Sequence, residues 1–432
     1  MPATLTVVGG LVVTPEGLRE ADVVVEDGTI TATSQPGAAR GQTVDVSGCV
    51  VLPGGVDPHT HLMADVAAGT AAALRGGTTT ALSFTAPRPS EAAAAAFARA
   101  RDELIPLAAV EVRLHPSIWE PDRLSPEVLA ELAGLGARSV KLFLAYPELG
   151  LMASDRVLYE TLRVGHRQGL LVQVHCENGG AIAARVDEFL AAGRKDVRAF
   201  VETRPPGVEE EAVGRTLALA ALAEAPVYLV HLSAAGSLDL VRAARHRGQA
   251  VFAEACTHHL LFDSDVYLDP NAERFLVVPP LRGREHVEAL WEGVADGTLD
   301  AIGSDHAQEP YRPDVPPGDF RSLPYGLAGV EERLPFVLAE GRRRGIPLER
   351  LVELLCAGPA RIFGLRGRKG AIETGADADL VAWDPEGESI GESGPYSGTS
   401  VPGGIRLVLQ RGAAPGMNAP EPPQIARRSI DD

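Results

Sequence analysis

The sequence predicts an α/β protein whose main part is a (β/α)8 TIM barrel, accompanied by a small β-sandwich domain built from both ends of the chain. Between residues 50 and 369, apolar β-branched segments alternate eight times with longer helical patterns. Such alternation is typical of parallel strands joined by helices. Residues 1–49 and 370–411 instead carry short strand patterns with Gly-containing turns, which predict the small β domain.

The composition indicates a globular protein that binds neither nucleic acid nor membrane. The chain has 432 residues, is 45% hydrophobic and carries a net charge of −18, whereas phosphate binding needs a basic face. Its four cysteines lie far apart and form no CxxC motif, as in reduced proteins. We find neither a signal peptide nor a long apolar run, and we therefore expect a cytoplasmic protein.

Eight strands are predicted for the barrel, each followed by a helical pattern except where the chain is irregular after the seventh. The strands are expected at residues 50–56, 78–84, 109–114, 139–146, 170–174, 226–232, 250–255 and 299–302. Ser90 is predicted to cap the helix over 90–104. An open doubly wound sheet is disfavoured because Gly54 and Gly55 precede a strand end and not a helix. Residues 412–432, rich in Ala, Pro and charge, are predicted to be a mobile tail.

Potential metal ligands follow several of these strands, at the barrel end where active sites occur. His59 and His61 end the first strand, and their side chains point the same way because strand side chains alternate faces. The later strands carry the others, which are Lys141, His175, His231 and Asp305. Imidazole and carboxylate are common ligands of zinc and similar ions. The joint pattern therefore predicts a metal site that these six residues share.

Each of these residues also has an ordinary structural interpretation. A single His at a strand end is usually a hydrogen-bonded polar residue, and a single Asp before a helix is usually a cap. Only the joint pattern favours ligation, and it does not extend to every His. His115, His258, His259 and His306 are assigned structural roles.

Lys141 is an unusual ligand because an ammonium group cannot coordinate a cation. A neutral lysine, however, can react with carbon dioxide to form a carbamate. The two carbamate oxygens could bridge two metals about 3.5–4 Å apart. His59, His61 and Asp305 would then hold one metal, and His175 and His231 the other. Two metals together lower the pKa of a shared water towards neutrality, and Asp305 could take the proton of that water.

These residues stand in motifs that resemble the cyclic amidohydrolases, nearest to dihydropyrimidinase and hydantoinase. The resemblance extends from Gly9 to about Arg411. Its strongest motifs are Pro-Gly-Gly-Val-Asp-Pro-His-Thr-His at 53–61, Gly-Gly-Thr-Thr at 76–79, Val-Lys-Leu-Phe-Leu-Ala-Tyr at 140–146, His-Cys-Glu-Asn-Gly at 175–179 and Gly-Ser-Asp-His-Ala at 303–307.

The resemblance implies an enzyme that hydrolyses a small cyclic amide with two Zn²⁺ ions per chain. In that family the lysine matching Lys141 is carboxylated and bridges the ions, and all six ligand positions are intact here. The family's oxyanion donor and stereochemical gate is a tyrosine that matches Tyr146. Its members are commonly oligomers, so we expect a homo-oligomer, a dimer or a tetramer.

Three departures from the family pattern concern the substrate. The loop after His61 is short, Val278 stands where relatives have Ser, and Tyr325 stands where they have Asn. In that family, main-chain groups at the last two positions bind the cyclic amide. Val278 and Tyr325 are therefore predicted to bind substrate.

Dihydroorotase and allantoinase remain alternatives to a hydantoinase, although the arginine that dihydroorotases place after the His-x-His motif is missing. Leu62 and Met63 stand there instead. A non-catalytic relative that keeps the fold is the third alternative. The intact ligand set argues against it, because such relatives lose the ligands.

Overall fold

Residues 4–14, 16–307 and 319–414 are described by a computed structural model. No helix in these ranges is long and apolar enough to cross a membrane. The small β domain contains the strands β1 Thr4–Val8, β2 Leu11–Thr14, β3 Gly17–Glu20, β4 Asp22–Glu26, β5 Thr29–Ser34, β6 Gln42–Asp45, β7 Val50–Pro53, β17 Leu380–Ile390 and β18 Ser400–Leu409.

The nine strands of the small domain form two sheets around their own apolar core. One sheet has the order β5-β4-β1-β6, and the other has the order β18-β17-β7-β2-β3. The buried side chains between them come from both ends of the chain, and include Val23, Ile30, Val51 and Leu380. Burial of this shared apolar surface holds the two chain ends together.

The barrel consists of parallel strands that follow one another around a closed ring. They are β8 Gly55–His61, β9 Thr78–Phe84, β10 Glu111–His115, β11 Ser139–Phe143, β12 Leu171–His175, β13 Val227–Leu229, β14 Val251–Cys256, and the two short segments β15 Ala301–Gly303 and β16 His306–Ala307. β15 pairs with β14, whereas β16 pairs with β8, so together they serve as the eighth strand and close the ring. A bridge from Ser117 to Lys141 joins the third strand to the fourth.

Helices cover the outside of the ring. They are α1 Val66–Arg75, α2 Ala93–Arg99, α3 Pro126–Gly134, α4 Asp155–Arg167, α5 Gly179–Ala191, α6 Val197–Glu202, α7 Pro206–Leu222, α8 Ala235–His246, α9 Thr257–Leu261, α10 Arg284–Asp296, α11 Arg333–Arg343, α12 Leu348–Val352 and α13 Gly358–Ile362. The buried Arg333 of α11 donates hydrogen bonds to the carbonyls of Val56 (2.7 Å) and Ile302 (2.8 Å). It therefore ties the first strand to the eighth.

The strands predicted over 139–146 and 226–232 are shorter in the structure, at Ser139–Phe143 and Val227–Leu229. Two further predictions are wrong. The strand expected over 50–56 is two strands, because Val50–Pro53 pairs with β17 in the small domain and the barrel strand begins at Gly55. The chain crosses between domains at Gly54, where a Cβ atom would lie 2.1 Å from Thr79 Oγ1. Ser90 does not cap a helix, because α2 begins at Ala93 after Ala92.

The last described residues lie against the small domain. The backbone N–H of Gly412 donates to the carbonyl of Ala378 (2.9 Å), and Gln410 and Ala413 form a bridge. Residues 415–432, which make up most of the predicted mobile tail, lie outside the described residues.

Candidate functional site

The predicted ligands meet at the carboxyl end of the barrel strands. His59 Nε2 lies 3.0 Å from Asp305 Oδ1, and His61 Nε2 lies 3.1 Å from the same oxygen. His175 Nδ1 lies 2.9 Å from His231 Nε2. The rings of His59 and His231 are 5.3 Å apart between centroids, which joins the two groups into one cluster.

Lys141 is buried beside this cluster, on the inner face of β11. Its Nζ atom lies 4.8 Å from the centroid of the Phe84 ring, and the same ring packs against His59 and His61. Burial lowers the pKa of Lys141 to about 8, although Asp305 and Glu254 oppose the effect. The amine is therefore much closer to its neutral, nucleophilic form at neutral pH than a surface lysine is.

The histidines of the cluster are largely in the state that ligation requires. Burial lowers the pKa of His61, His175 and His231, so these imidazoles are neutral at pH 7. His59 differs, because the carboxylates of Glu254 and Asp305 outweigh burial and raise its pKa to about 9. The pKa is raised because the ring lies between two carboxylates. A divalent cation bound to His59 would displace the second proton of the imidazolium.

The residues fit a bound metal by their chemistry. Neutral imidazole and carboxylate are the ligands that Zn²⁺ prefers, and His59, His231 and Asp305 bring one ligand atom each to within 4.8 Å of one another. His231 Nδ1 is buried without a hydrogen-bond partner among the described residues. Asp305 and His231 also adopt positive φ angles of 49° and 38°, which are uncommon for non-glycine residues.

Tyr146 lies at the edge of this cluster. Its ring centroid is 5.1 Å from that of His175. It immediately precedes the 3₁₀ turn Pro147–Leu149 and has a φ angle of 64°. Burial raises the pKa of Tyr146 well above 10, so its hydroxyl keeps its proton and remains a hydrogen-bond donor.

Tyr325 and Val278, the two other residues predicted to bind substrate, lie near Tyr146. The ring of Tyr325 stacks parallel to that of Tyr146, with centroids 6.4 Å apart and an interplanar angle of 3°. Tyr325 is 39% exposed. Val278 is buried in an apolar cluster with Leu276 and Phe200, against which Tyr146 packs.

The histidines assigned structural roles have varied surroundings. Both ring nitrogens of His115 have partners, Ser139 Oγ at 2.5 Å and the Pro58 carbonyl at 3.2 Å. His306 accepts from the backbone N–H of Gly329. His258 and His259 lie together with Cys256 in a second buried group, and Cys256 also lies close to His59 and Glu254.

Sequence reasoning missed two buried carboxylates that contact the ligands. Glu254 Oε1 lies 2.6 Å from His59 Nδ1, and Glu177 Oε2 lies 3.0 Å from His175 Nε2. A signal was present in each case. Glu254 interrupts the apolar strand Val251–Cys256, and a charged residue within a buried strand calls for a specific partner. Glu177 follows His175 by two residues in the His-Cys-Glu-Asn-Gly motif.

Comparisons with known proteins agree with this geometry. Residues 50–414 match the model of the amidohydrolase family. The chain is 36% identical to a D-hydantoinase of Ralstonia pickettii, over 93% of both chains. It superposes on a solved dihydropyrimidinase from Brevibacillus agri with a TM-score of 0.90 and 32% identity, over 95% of this chain and 94% of that one. The TM-score is 0.87 for an L-hydantoinase (dihydropyrimidinase) from Arthrobacter aurescens, at 29% identity and 95% coverage of both chains. These similarities confirm the resemblance inferred from the motifs.

Proposed function

The chain belongs to the amidohydrolase family, and from this premise we propose that it opens a cyclic amide or imide ring, as hydantoinases and dihydropyrimidinases do, with two Zn²⁺ ions per chain. The observation that carries the proposal is the meeting of four histidines and Asp305 around the buried amine of Lys141. A non-catalytic scaffold would have no reason to keep this set of costly buried polar groups together.

The metal-holding roles are divided among the six predicted ligands. His59, His61 and Asp305 would hold one ion and His175 and His231 the other, and Lys141 would supply oxygen ligands after its neutral amine adds to carbon dioxide and loses a proton to give a carbamate. The low pKa of Lys141 supports this reaction, because only the neutral amine is nucleophilic. When bound, the metal pair supplies Lewis acidity that activates water and polarises the ring carbonyl.

The protein's own groups carry out the proton transfers. Although burial alone would raise it, the neighbouring His59 and His61 hold the pKa of Asp305 well below its usual value, so its carboxylate is ionised. It accepts a proton from the attacking water and delivers it to the ring nitrogen as the C–N bond breaks. The hydroxyl of Tyr146 donates a hydrogen bond to the oxyanion that forms on the attacked carbonyl. The product is an open-chain acid that retains the carbamoyl or amide group.

The substrate sits between the cluster and the aromatic pair of Tyr146 and Tyr325, with the backbone at Val278 and Tyr325 available to the amide. A homo-oligomer, a dimer or a tetramer, is part of the same proposal.

The proposal is tested with purified protein by metal analysis and a substrate panel. We expect two zinc ions per chain and hydrolysis of one or more of hydantoins, dihydrouracil, dihydroorotate, allantoin and cyclic imides. Activity should be lost on chelation and regained on adding Zn²⁺. Stoichiometric zinc without turnover of any ring would overturn the substrate class, and absence of bound metal would overturn the mechanism.

A further inference from the structure

A buried carboxylate on the seventh strand touches one residue from each of the two proposed ligand groups. Glu254 is fully buried, and its Oε1 atom lies 2.6 Å from Nδ1 of His59 and 3.0 Å from the backbone nitrogen of His231. Its Oε2 atom accepts a hydrogen bond from the hydroxyl of Tyr228 at 2.8 Å. The seventh strand supplies none of the predicted ligands, so neither the motif nor the proposed mechanism gives this residue a role.

We propose that Glu254 is a positioning residue that sets the tautomer of His59 and holds the backbone of His231, and so prepares one ligand of each metal. The proposal rests on the ligand set of the proposed function. An ionised carboxylate can only accept hydrogen bonds, so at 2.6 Å from Glu254 the Nδ1 atom of His59 carries a hydrogen and donates it to the bond. In the neutral ring that metal binding requires, the lone pair then lies on Nε2, the nitrogen on the Asp305 side of the ring at 3.0 Å. Without Glu254 the ring could bear its hydrogen on either nitrogen.

Glu254 contacts the backbone of His231 and not its imidazole ring. His231 has a φ angle of 38°, in a region that a residue with a Cβ atom rarely occupies. Its N–H points to Glu254 Oε1, and a charged acceptor makes this hydrogen bond stronger than one between neutral groups. The bond therefore helps to keep His231 in the backbone conformation that brings its ring to His175.

Tyr228 fixes the carboxylate in turn. Its side chain is buried on the sixth strand, and its hydroxyl keeps its proton because burial raises its pKa well above 10. The four residues Tyr228, Glu254, His59 and His231 thus form one network that crosses the first, sixth and seventh strands. Partners of this kind around metal-bound histidines typically change metal affinity about 10–100-fold when they are replaced.

The test uses Glu254→Gln, which keeps the size of the side chain and removes its charge, together with Tyr228→Phe, which removes only the outer hydroxyl. Metal affinity is measured by competition with a chelator, and the cobalt-substituted proteins are compared by their visible absorption spectra. We expect Glu254→Gln to bind metal about 10–100-fold more weakly with an altered cobalt spectrum. Tyr228→Phe should produce a smaller change in the same direction.

Glu332→Gln is the matched control. Glu332 is also a buried carboxylate with several hydrogen bonds, from Ser393 and the backbone of Glu392, but it contacts none of the ligands. The Glu332→Gln protein should lose thermal stability but keep the metal affinity and the cobalt spectrum of the wild type. If Glu254→Gln matches the wild type in both measurements, or if Glu332→Gln weakens metal binding equally, the positioning role is wrong. Failure of the wild-type protein to bind metal would instead overturn the proposed function, which separates the two outcomes.

Discussion

Lys141 Nζ lies 4.8 Å from the centroid of the Phe84 ring, and that ring also packs against the imidazoles of His59 and His61. One aromatic side chain from the second strand therefore supports residues of the first and the fourth. This arrangement keeps water away from the amine and holds it against the ligand cluster. It accounts for a lysine whose pKa is lowered to about 8, because burial disfavours the charged form.

Replacing Lys141 by Ala should remove the proposed carbamate bridge and nearly all activity. Added short-chain carboxylates should restore part of it by supplying the missing oxygens, and metal content should fall in their absence. Turnover and zinc stoichiometry measure both effects. Lys195→Ala is the control, because Lys195 is half-exposed and pairs only with Asp319 at 3.6 Å among the described residues. Near-normal turnover in Lys141→Ala would exclude the bridging role.

Asp305→Asn should lower kcat by about 10²–10⁴, since an amide cannot accept and return a proton. The substitution also changes a predicted metal ligand, so metal content must be measured alongside kcat. With both metals bound, the loss in kcat reports the proton transfer alone. Full activity of metal-replete Asp305→Asn would contradict the assignment of Asp305.

Neutral rings should be better substrates than a ring that carries a carboxylate. The dihydroorotase arginine after His61 is missing, and an unpaired anion in a partly dry site is costly. We expect kcat/KM for hydantoins or dihydrouracil to exceed that for dihydroorotate at least about tenfold, which corresponds to about 1.4 kcal/mol. If dihydroorotate is the best substrate, Arg204 is the first cation to replace, because its charge opposes the rise in pKa that burial causes in both Tyr146 and Tyr325.

Tyr325→Asn should change the ranking among neutral rings while metal content stays constant. The substitution removes the ring that stacks on Tyr146 and introduces the residue that relatives carry. The measurement is kcat/KM for each ring on metal-replete protein. An unchanged ranking would show that Tyr325 does not shape the substrate pocket.

Protonation of Glu111 at low pH should weaken the contact between the barrel and the small domain. Lys369 Nζ lies 3.1 Å from Glu111 Oε2 and 2.7 Å from Asp379 Oδ2. Burial alone would raise the pKa of Glu111, but Lys369, Arg113 and Arg368 lower it to about 2. Because this pKa is lower in the folded state, the stabilisation is complete above the unfolded value of about 4.5 and disappears as the pH falls towards 2.

Glu111→Gln should therefore cost about 1–2 kcal/mol of unfolding free energy at pH 7, after allowance for partial exposure and for the two aspartates that still neutralise Lys369. The difference from the wild type should shrink between pH 4.5 and 2, as followed by denaturant unfolding. Glu120→Gln is the control, because Glu120 forms an exposed pair with Arg123 and should change stability by less than about 0.5 kcal/mol. A difference that is constant with pH would contradict the assigned pKa.

Much of the barrel could be predicted from the sequence, because apolar residues recur at different intervals in strands and in helices. The strand Thr78–Phe84 and the helix beginning after Ser154 lie where they were expected. The first barrel strand was misjudged because Val50–Pro53 and Gly55–His61 are both apolar and adjacent, and period alone cannot say which sheet a strand joins. Only the hydrogen bonds of Val50–Pro53 to β17 decide that.

The clustering of the predicted ligands followed from the sequence alone, since parallel strands of a barrel bring their carboxyl ends together whatever the details of packing. His59, His175, His231 and Asp305 could be recognised from where their strands end. The partners of those ligands were decided only by the tertiary structure. Glu254 is far from His59 in the chain, and its 2.6 Å contact depends on the strand register and the side-chain packing that close the ring. Local patterns indicate which face of a strand a residue occupies, whereas the tautomer of a histidine depends on an atom brought beside it by folding.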